Sequence, residues 1–516
     1  MIHFLCSLVR RCPGVRTALL LSLTVTAVAA DALPGVDGKW RRLESAHFEL
    51  YSRTNEADSR AVLHHLELVR ACAMQMLGLR ERMPRAVTVY YFSGERSLRA
   101  YFPEGDGKKE WSSNFASFVD RDIMTLSASL DQALALEMVQ HSYLNQLLQV
   151  QGRPVPLWLR TGAGFLFSTL EPRMKEMEFG RADAYRVQTL EKAARFDLTR
   201  LLSTQQLLRG QKEADEFHAH AWGFMHYLYL GQKEIAREKV DAFIARALSG
   251  GRAGAGPALL AAMEEVLGVA PAELERRVQR YLRSGRFPTQ RLPRPEVPAA
   301  SSYAMRAVPA AEIRLRLAEL ALRVRRAPEA RVELLSAAGQ PGPDARVFEA
   351  LGMDAWLDGD LDRALERWQR AIDAGSDNAA IYHQVGLHLC ARWFRHVDVY
   401  FRLTPELADQ LRHLLAASIT RAPNQASAYE GLAWVEATAP KPLLANVNLV
   451  QSRFAELDNQ TSTLLALALV RVRLEQFEDA GRLLDRVEAE DDNPGIQAGV
   501  KALRALIARP PAAGGL

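Results

Sequence analysis

Residues 140–167 read QHSYLNQLLQVQGRPVPLWLRTGAGFLF and place a histidine and an asparagine four positions apart, ahead of a Pro-x-Trp segment. Side chains four apart on a helix face the same way, so Glu137, His141 and Asn145 share one face. Two histidines at that spacing, with a glutamate beside the first, would be the start of a zinc-hydrolase site. Only one imidazole is present here. The face therefore offers a single weak ligand in a polar pocket, or simply hydrogen-bonded polar side chains on a helix otherwise apolar through Leu134, Met138 and Leu148.

The remaining histidines do not repair the set. His218, His220 and His226 fall in FHAHAWGFMHYLYL, which has helical character. At about 100° per residue, the first two point roughly 200° apart, and the first and third lie about 12 Å apart along the axis. They read as polar positions in a core helix, and the adjacent His64 and His65 diverge and read as surface. The glycine run 250–256 has neither a preceding strand nor a Lys-Ser/Thr ending, so it is a connector and not a phosphate cradle. No G-x-S-x-G elbow occurs.

The elements that must position these residues follow from periodicity. Trp40–Ser52 and Ala86–Phe92 are aromatic and β-branched, predicting strands, and Phe115–Ser127 predicts two short strands about Asp120. Glu56–Leu79 has helical spacing and stops at Gly78. Long helices are expected from Leu130 to Gly285, giving an α+β unit. Pro288, Pro293, Pro295 and Pro298 then predict a semi-rigid linker over 287–306. Beyond it Ala330 and Ala364, and likewise Leu351-Gly352 and Val385-Gly386, recur at a spacing of 34. That is the tetratricopeptide period. Tyr382 and Tyr429 continue the series at 47, implying an insertion near Phe394 to Thr404. An all-α solenoid of four or five helix pairs is expected over 307–500, since one pair cannot bury its own apolar face, with a helix end and disordered tail over 501–516.

At the other end, Arg10, Arg11 and Arg16 precede an apolar run from Thr17 to Ala30, which predicts a signal peptide over 1–30. Its removal would lower the formal charge from +4 to +1, a balance that gives no electrostatic reason to expect nucleic acid. No later stretch is apolar for the roughly 18 residues that a membrane span needs. Cys72 and Cys390, the cysteines beyond the leader, read as small buried apolar side chains.

The region 31–286 resembles the bacterial peptidase MA-like domain, an uncharacterised gluzincin-related family. The resemblance rests on Ser45-Ala46-His47-Phe48 after an opening Trp40 strand, on Pro156-Leu157-Trp158-Leu159-Arg160-Thr161-Gly162-Ala163, on Trp222, and on the closing Leu274–Leu282 stretch. It implies a zincin-like fold and a motif H-E-x-x-H followed by P-x-W-x-x-E-G-x-A. Against that frame, His141 keeps the first ligand, Ser142 replaces the catalytic glutamate, Asn145 the second histidine and Thr161 the third ligand. An imidazole, an amide and a hydroxyl do not supply the charge of a catalytic zinc site, and loss of the general base alone costs on the order of 10²–10⁴ in rate.

The resulting expectation is an exported protein, in the periplasm of a Gram-negative bacterium. It would have no catalytic residues and no cofactor, would be fused to tetratricopeptide repeats, and would bind a protein or peptide through the solenoid. Trp356, Tyr382, Trp393, Phe394 and Tyr429 are the partner-binding candidates. The alternatives are a divergent zinc metallopeptidase with substitute ligands, and a remnant cleft beside Trp158 that binds peptide without cutting it.

Overall fold

A computed structural model of the chain describes residues 33–34, 36, 39–101, 114–128, 132–151, 155–206, 210–248, 256–324, 327–393, 401–457, 460–491 and 493–508. The expected leader and the 509–516 tail lie outside these residues. Among the described residues the chain is mostly helical. A small mixed sheet sits in its N-terminal part and helices follow, as expected of α+β and then all-α.

The first part opens with strands β1 (Arg41–Glu44) and β2 (Phe48–Ser52), then helix α1 (Glu56–Leu77), β3 (Val87–Phe92), the short α2 (Glu95–Arg99), β4 (Asn114–Ser117) and β5 (Asp122–Ser127). Asn55 caps α1 by accepting from the Asp58 amide at 2.8 Å, and Gly78 ends it at φ 60°, a left-handed geometry that favours glycine. The sheet runs β4-β5-β3-β2-β1-β9, with β2, β3 and β5 parallel. Parallel strands need cover on both faces, and the alternation along β3 reports how that cover is divided. Val87, Val89 and Tyr91 join the core under α1, whereas Tyr90 and Phe92 face the other way.

Helices α3 (Gln132–Gln149) and α4 (Leu157–Phe167) come next, followed by a hairpin of β6 (Glu171–Arg173) and β7 (Glu176–Phe179). Then come α5 (Ala184–Lys192), α6 (Leu198–Ser203), α7 (Gln211–His226), which passes into a π-helical turn, α8 (Arg237–Leu248), α9 (Gly256–Leu267) and α10 (Pro271–Arg283). The sequence reading missed the β6–β7 hairpin. Its residues are charged and short, and its ladder is completed only by β8 (Gln290–Pro293), more than a hundred residues later.

The Pro-rich stretch 287–306 departs from the expected linker. Its first half is β8, paired with β7, and its second half is β9 (Ala304–Ala307), which pairs antiparallel with β1 as an edge of the large sheet. Of the four prolines only Pro293 falls within a strand, and it is tolerated because β8 is a sheet edge, where a missing amide donor breaks no inner ladder.

Eleven helices follow among the described residues: α11 (Ala310–Arg323), α12 (Ala327–Ala338), α13 (Ala345–Leu357), α14 (Leu361–Asp373), α15 (Ala379–Trp393), α16 (Pro405–Arg421), α17 (Ala426–Thr438), α18 (Leu444–Ser452), α19 (Gln460–Arg473), α20 (Phe477–Glu490) and α21 (Pro494–Ala508). Successive helices pack as pairs. Gly352 on α13 lies against the Trp368 indole of α14, where any side chain would clash, and Gly359 makes the turn between them at φ 79°. These helices also supply the sheet's second cover. Ile313, Leu317 and Leu320 of α11 pack with Trp40, Tyr51, Tyr90, Phe92 and Ile123, and the Tyr90 hydroxyl donates to the Arg316 carbonyl at 3.1 Å.

Candidate functional site

Helices α3 and α4 carry the four positions singled out in the sequence, and of these His141 and Asn145 lie side by side against α4. The two helices meet at Gly164, where an added Cβ would sit 2.9 Å from Asn145 Oδ1 and 3.0 Å from His141 Cδ2. One position further, Phe165 stacks on the His141 imidazole with ring centroids 4.0 Å apart and planes 22° from parallel. The Arg186 guanidinium lies 4.0 Å over the same phenyl ring, and His218 meets the ring edge-on at 5.6 Å. Glu137, one turn before His141, is engaged outward with Arg181 at 2.6 Å.

This environment is hostile to a cation. Burial, with Arg186 and His218 nearby, pushes the His141 imidazole down to about 3. Burial likewise lowers His218 and, partly offset by Arg181 and Arg186, raises Glu137. Asn145 Nδ2 stands 3.4 Å from His141 Nε2, at the edge of hydrogen bonding, and its Oδ1 is buried with no partner. Ser142 donates back to the Met138 carbonyl at 3.3 Å, and Thr161 is buried one turn before Gly164. Among the described residues no three His, Cys, Asp or Glu side chains are grouped to hold a metal ion. The donor set at His141 does not fit zinc, because the group beside its ring nitrogens is the neutral Asn145 amide and no cluster of ligating side chains includes it among the described residues.

The space beside Trp158 is equally filled. The indole is fully buried against Phe224 at 5.5 Å and Phe243 at 6.1 Å, so among the described residues it presents no open surface of the kind that the remnant-cleft alternative expects. The α7 histidines diverge as expected. His220 packs edge-on against Phe196, and buried His226 bonds Gly180 O at 3.0 Å and receives the Tyr281 hydroxyl at 2.8 Å. His64 and His65 do not conform to a surface reading. His64 meets the Tyr303 hydroxyl at 3.3 Å, while burial lowers His65, bonded to Gln140, to about 4. Cys72 and Cys390 are free and buried, and burial pushes both thiols up to about 12.

Of the partner-binding candidates in the helical array, Trp356, Tyr382 and Tyr429 pack among neighbouring side chains, and Tyr429 also lines a cavity. Trp356 lies between Trp368 and His388, at 5.5 and 5.1 Å. Tyr382 and Tyr429 are buried, and each hydroxyl donates at 2.9 Å to the carbonyl six residues earlier, Ser376 and Pro423. The Trp393 side chain and Phe394 lie outside the described residues.

Sequence reasoning missed two clusters. One is a buried ion network between the sheet's loops and the array. Arg323 holds Asp120, Arg121 holds Glu319 at 3.0 Å and Glu349 at 2.7 Å, and Arg346 reaches Glu49 and Glu319, both at 3.4 Å. The other is a cleft between the end of α1, the face of α8 and the turns around α17 to α19. It consists of a cavity of about 700 Å³ continued by one of about 330 Å³. Single charged residues spread over hundreds of positions carry no spacing signal for either. No helix among the described residues is long and apolar enough to cross a membrane. No family model and no curated protein sequence matches this chain.

Proposed function

We propose that this chain is an exported, non-catalytic protein that binds other proteins. In this reading a peptidase MA-like unit has lost its metal site and is clasped by a tetratricopeptide-like array into one scaffold. The observation that carries the non-catalytic reading is the isolation of the His141 imidazole, which lies beside the Asn145 amide and belongs to no group of three His, Cys, Asp or Glu side chains among the described residues. A hydrolytic zinc needs three basic ligands and an open position for water, whereas the ring nitrogens of this imidazole have beside them, at 3.5 and 3.4 Å, an amide nitrogen that offers a metal neither charge nor a basic lone pair. The repeat reading is supported by the glycine–tryptophan contact inside one pair and by the equal roles of Tyr382 and Tyr429 in two others. The balanced charge argues against nucleic acid and leaves protein or peptide as the partner class.

The test is metal analysis of the purified mature chain, together with hydrolysis of a mixed fluorogenic peptide substrate with and without a chelator. Zinc well below one per chain and no chelator-sensitive hydrolysis are expected. Stoichiometric zinc, with hydrolysis that disappears in His141→Ala, would instead establish the divergent metallopeptidase.

A further inference from the structure

Charge is unevenly spread over this nearly neutral chain, and α10 carries an excess. From Arg276 to Pro295 there are seven arginines and no carboxylate. Leu274, Val278 and Leu282, four residues apart, turn one side of α10 into the core, so Arg276, Arg280 and Arg283 share the opposite, exposed side. Gly285 follows the helix at φ 62°, and Arg286 is exposed in the turn. This end of the helix is pinned from behind. Leu282 packs against Gly223 of α7, the Tyr281 hydroxyl donates to His226 at 2.8 Å, and Phe287 packs on Trp222 with ring centroids 4.9 Å apart.

Few of these cations are neutralised. Arg276 and Arg277 share Glu273, at 2.6 and 2.7 Å, and Arg277 also holds Glu234. The Glu273 carboxyl is held below its usual range by its hydrogen bond to Arg277 first, and also by the charges of Arg276 and Arg280, so one carboxylate serves three guanidiniums. Arg280, Arg283 and Arg286 form no ion pair among the described residues, and neither does Lys233, exposed two residues after Gly231, which packs on the Tyr281 ring. Glu275 is turned to the other flank, where it accepts from the Leu198 amide at 3.2 Å and faces Arg195 at 3.9 Å. On the neighbouring α5 the exposed Glu191 and Lys192 cancel. The face therefore sets six cations against two carboxylates, on a chain whose formal charge without its expected leader is +1. The negative end of the helix dipole offsets part of the repulsion among them.

This face has charge without an anchor. None of the exposed large apolar side chains among the described residues belongs to α10, its turn or the Lys233 turn, and both described cavities are lined by other residues. A specific protein interface has a buried apolar or aromatic centre, whereas an anionic bilayer asks only for cations on an exposed face. We infer that the α10 face docks this protein on an anionic lipid surface, with Arg276, Arg280, Arg283 and Arg286 meeting headgroup phosphates. Arginine suits that chemistry because its planar fork matches phosphate oxygens, and charge alone gives reversible adsorption without insertion. Nucleic acid offers the same phosphate chemistry, so the choice of lipid rests on the export part of the proposed function. The protein-binding part is not needed.

Co-sedimentation of the purified mature chain with phosphatidylcholine vesicles, with and without phosphatidylglycerol, tests it. Sedimentation with the anionic vesicles alone is expected, weakening as salt is added. The pair Arg280→Gln and Arg283→Gln should lower partitioning at least about tenfold. The pair Arg482→Gln and Arg486→Gln, exposed on α20, removes the same charge elsewhere and should leave partitioning unchanged. All four side chains are exposed, and circular dichroism verifies the fold of both variants. No sedimentation with anionic vesicles, an equal loss in the α20 pair, or equal sedimentation with neutral vesicles overturns the inference. Binding to poly-glutamate or to duplex DNA without binding to the vesicles overturns it too, and reassigns the face to an acidic protein or a nucleic acid. The vesicle result judges the face by itself, while cell fractionation judges export.

Discussion

Arg323 of α11 grips Asp120 of the β4–β5 turn with two parallel hydrogen bonds of 2.8 and 2.7 Å, and both side chains are almost fully buried. The residues are 203 positions apart. Glu319, itself buried, accepts a third bond from the same guanidinium at 3.1 Å. Arg323→Met would strand Asp120 in a dry interface and take one of several cationic partners from Glu319, and removing one partner of a buried pair typically costs about 3–5 kcal/mol. Urea unfolding followed by far-ultraviolet circular dichroism and by tryptophan fluorescence should show one coincident transition in the native chain, shifted down by that amount in the variant. An unchanged midpoint would mean that the network does not join the sheet to the array.

Restoring the missing ligands should not restore the site. The variant carrying Ser142→Glu, Asn145→His and Thr161→Glu has the full donor set of the resembled motif, yet Phe165 still packs on the His141 ring and burial there still disfavours a charged group. Calorimetric titration with zinc is expected to give no stoichiometric binding in the folded triple variant. Tight binding with Phe165 in place would show that the ring yields readily.

Acid should destabilise the chain in two stages. Burial pushes His383 down to about 4 from 6.5, aided by His388 and Arg85 and opposed by a bond to the Ser427 backbone. As pH falls through 6.5 the unfolded chain takes up this proton, and the folded chain does not until about 4, so stability is lost across that window. At pH 5 the loss is on the order of 2 kcal/mol. Glu49 behaves as an acid with the same sign. Burial alone would raise it, but Arg346, Arg121 and Arg42 hold it at about 2, so its contribution disappears between 4.5 and 2. Urea midpoints at pH 7.5 and pH 5 should differ less in His383→Gln than in the native chain, and equal differences would contradict the assignment.

Gly352→Val places a branched side chain against the Trp368 indole, whose ring nitrogen bonds the Glu349 carbonyl at 3.3 Å. Overpacking of this kind costs about 1–3 kcal/mol. Thermal unfolding should register it, whereas Gly481→Ala on α20, where an added Cβ meets nothing within 4 Å, should be neutral or slightly stabilising.

What the sequence determined by itself was local or periodic. Ser142, Asn145 and Thr161 settle which side chains stand at these positions whatever the fold, the spacing from Glu56 to Gly78 writes α1, and the Gly352 repeat places small residues where two helices touch. Each depends on residues within one element or one pair. The tertiary structure decided what depends on distant surfaces finding each other. Phe165 reads in sequence as one apolar residue among several, and only the α3–α4 approach at Gly164 lays it on His141. The stretch 287–306 reads as a proline linker until the exposed edges of β1 and β7 recruit it. The second face of a parallel sheet must be covered by something, but neither composition nor period says that α11 does so, or that the seam left beside it is a cleft rimmed by Arg80 and Arg453.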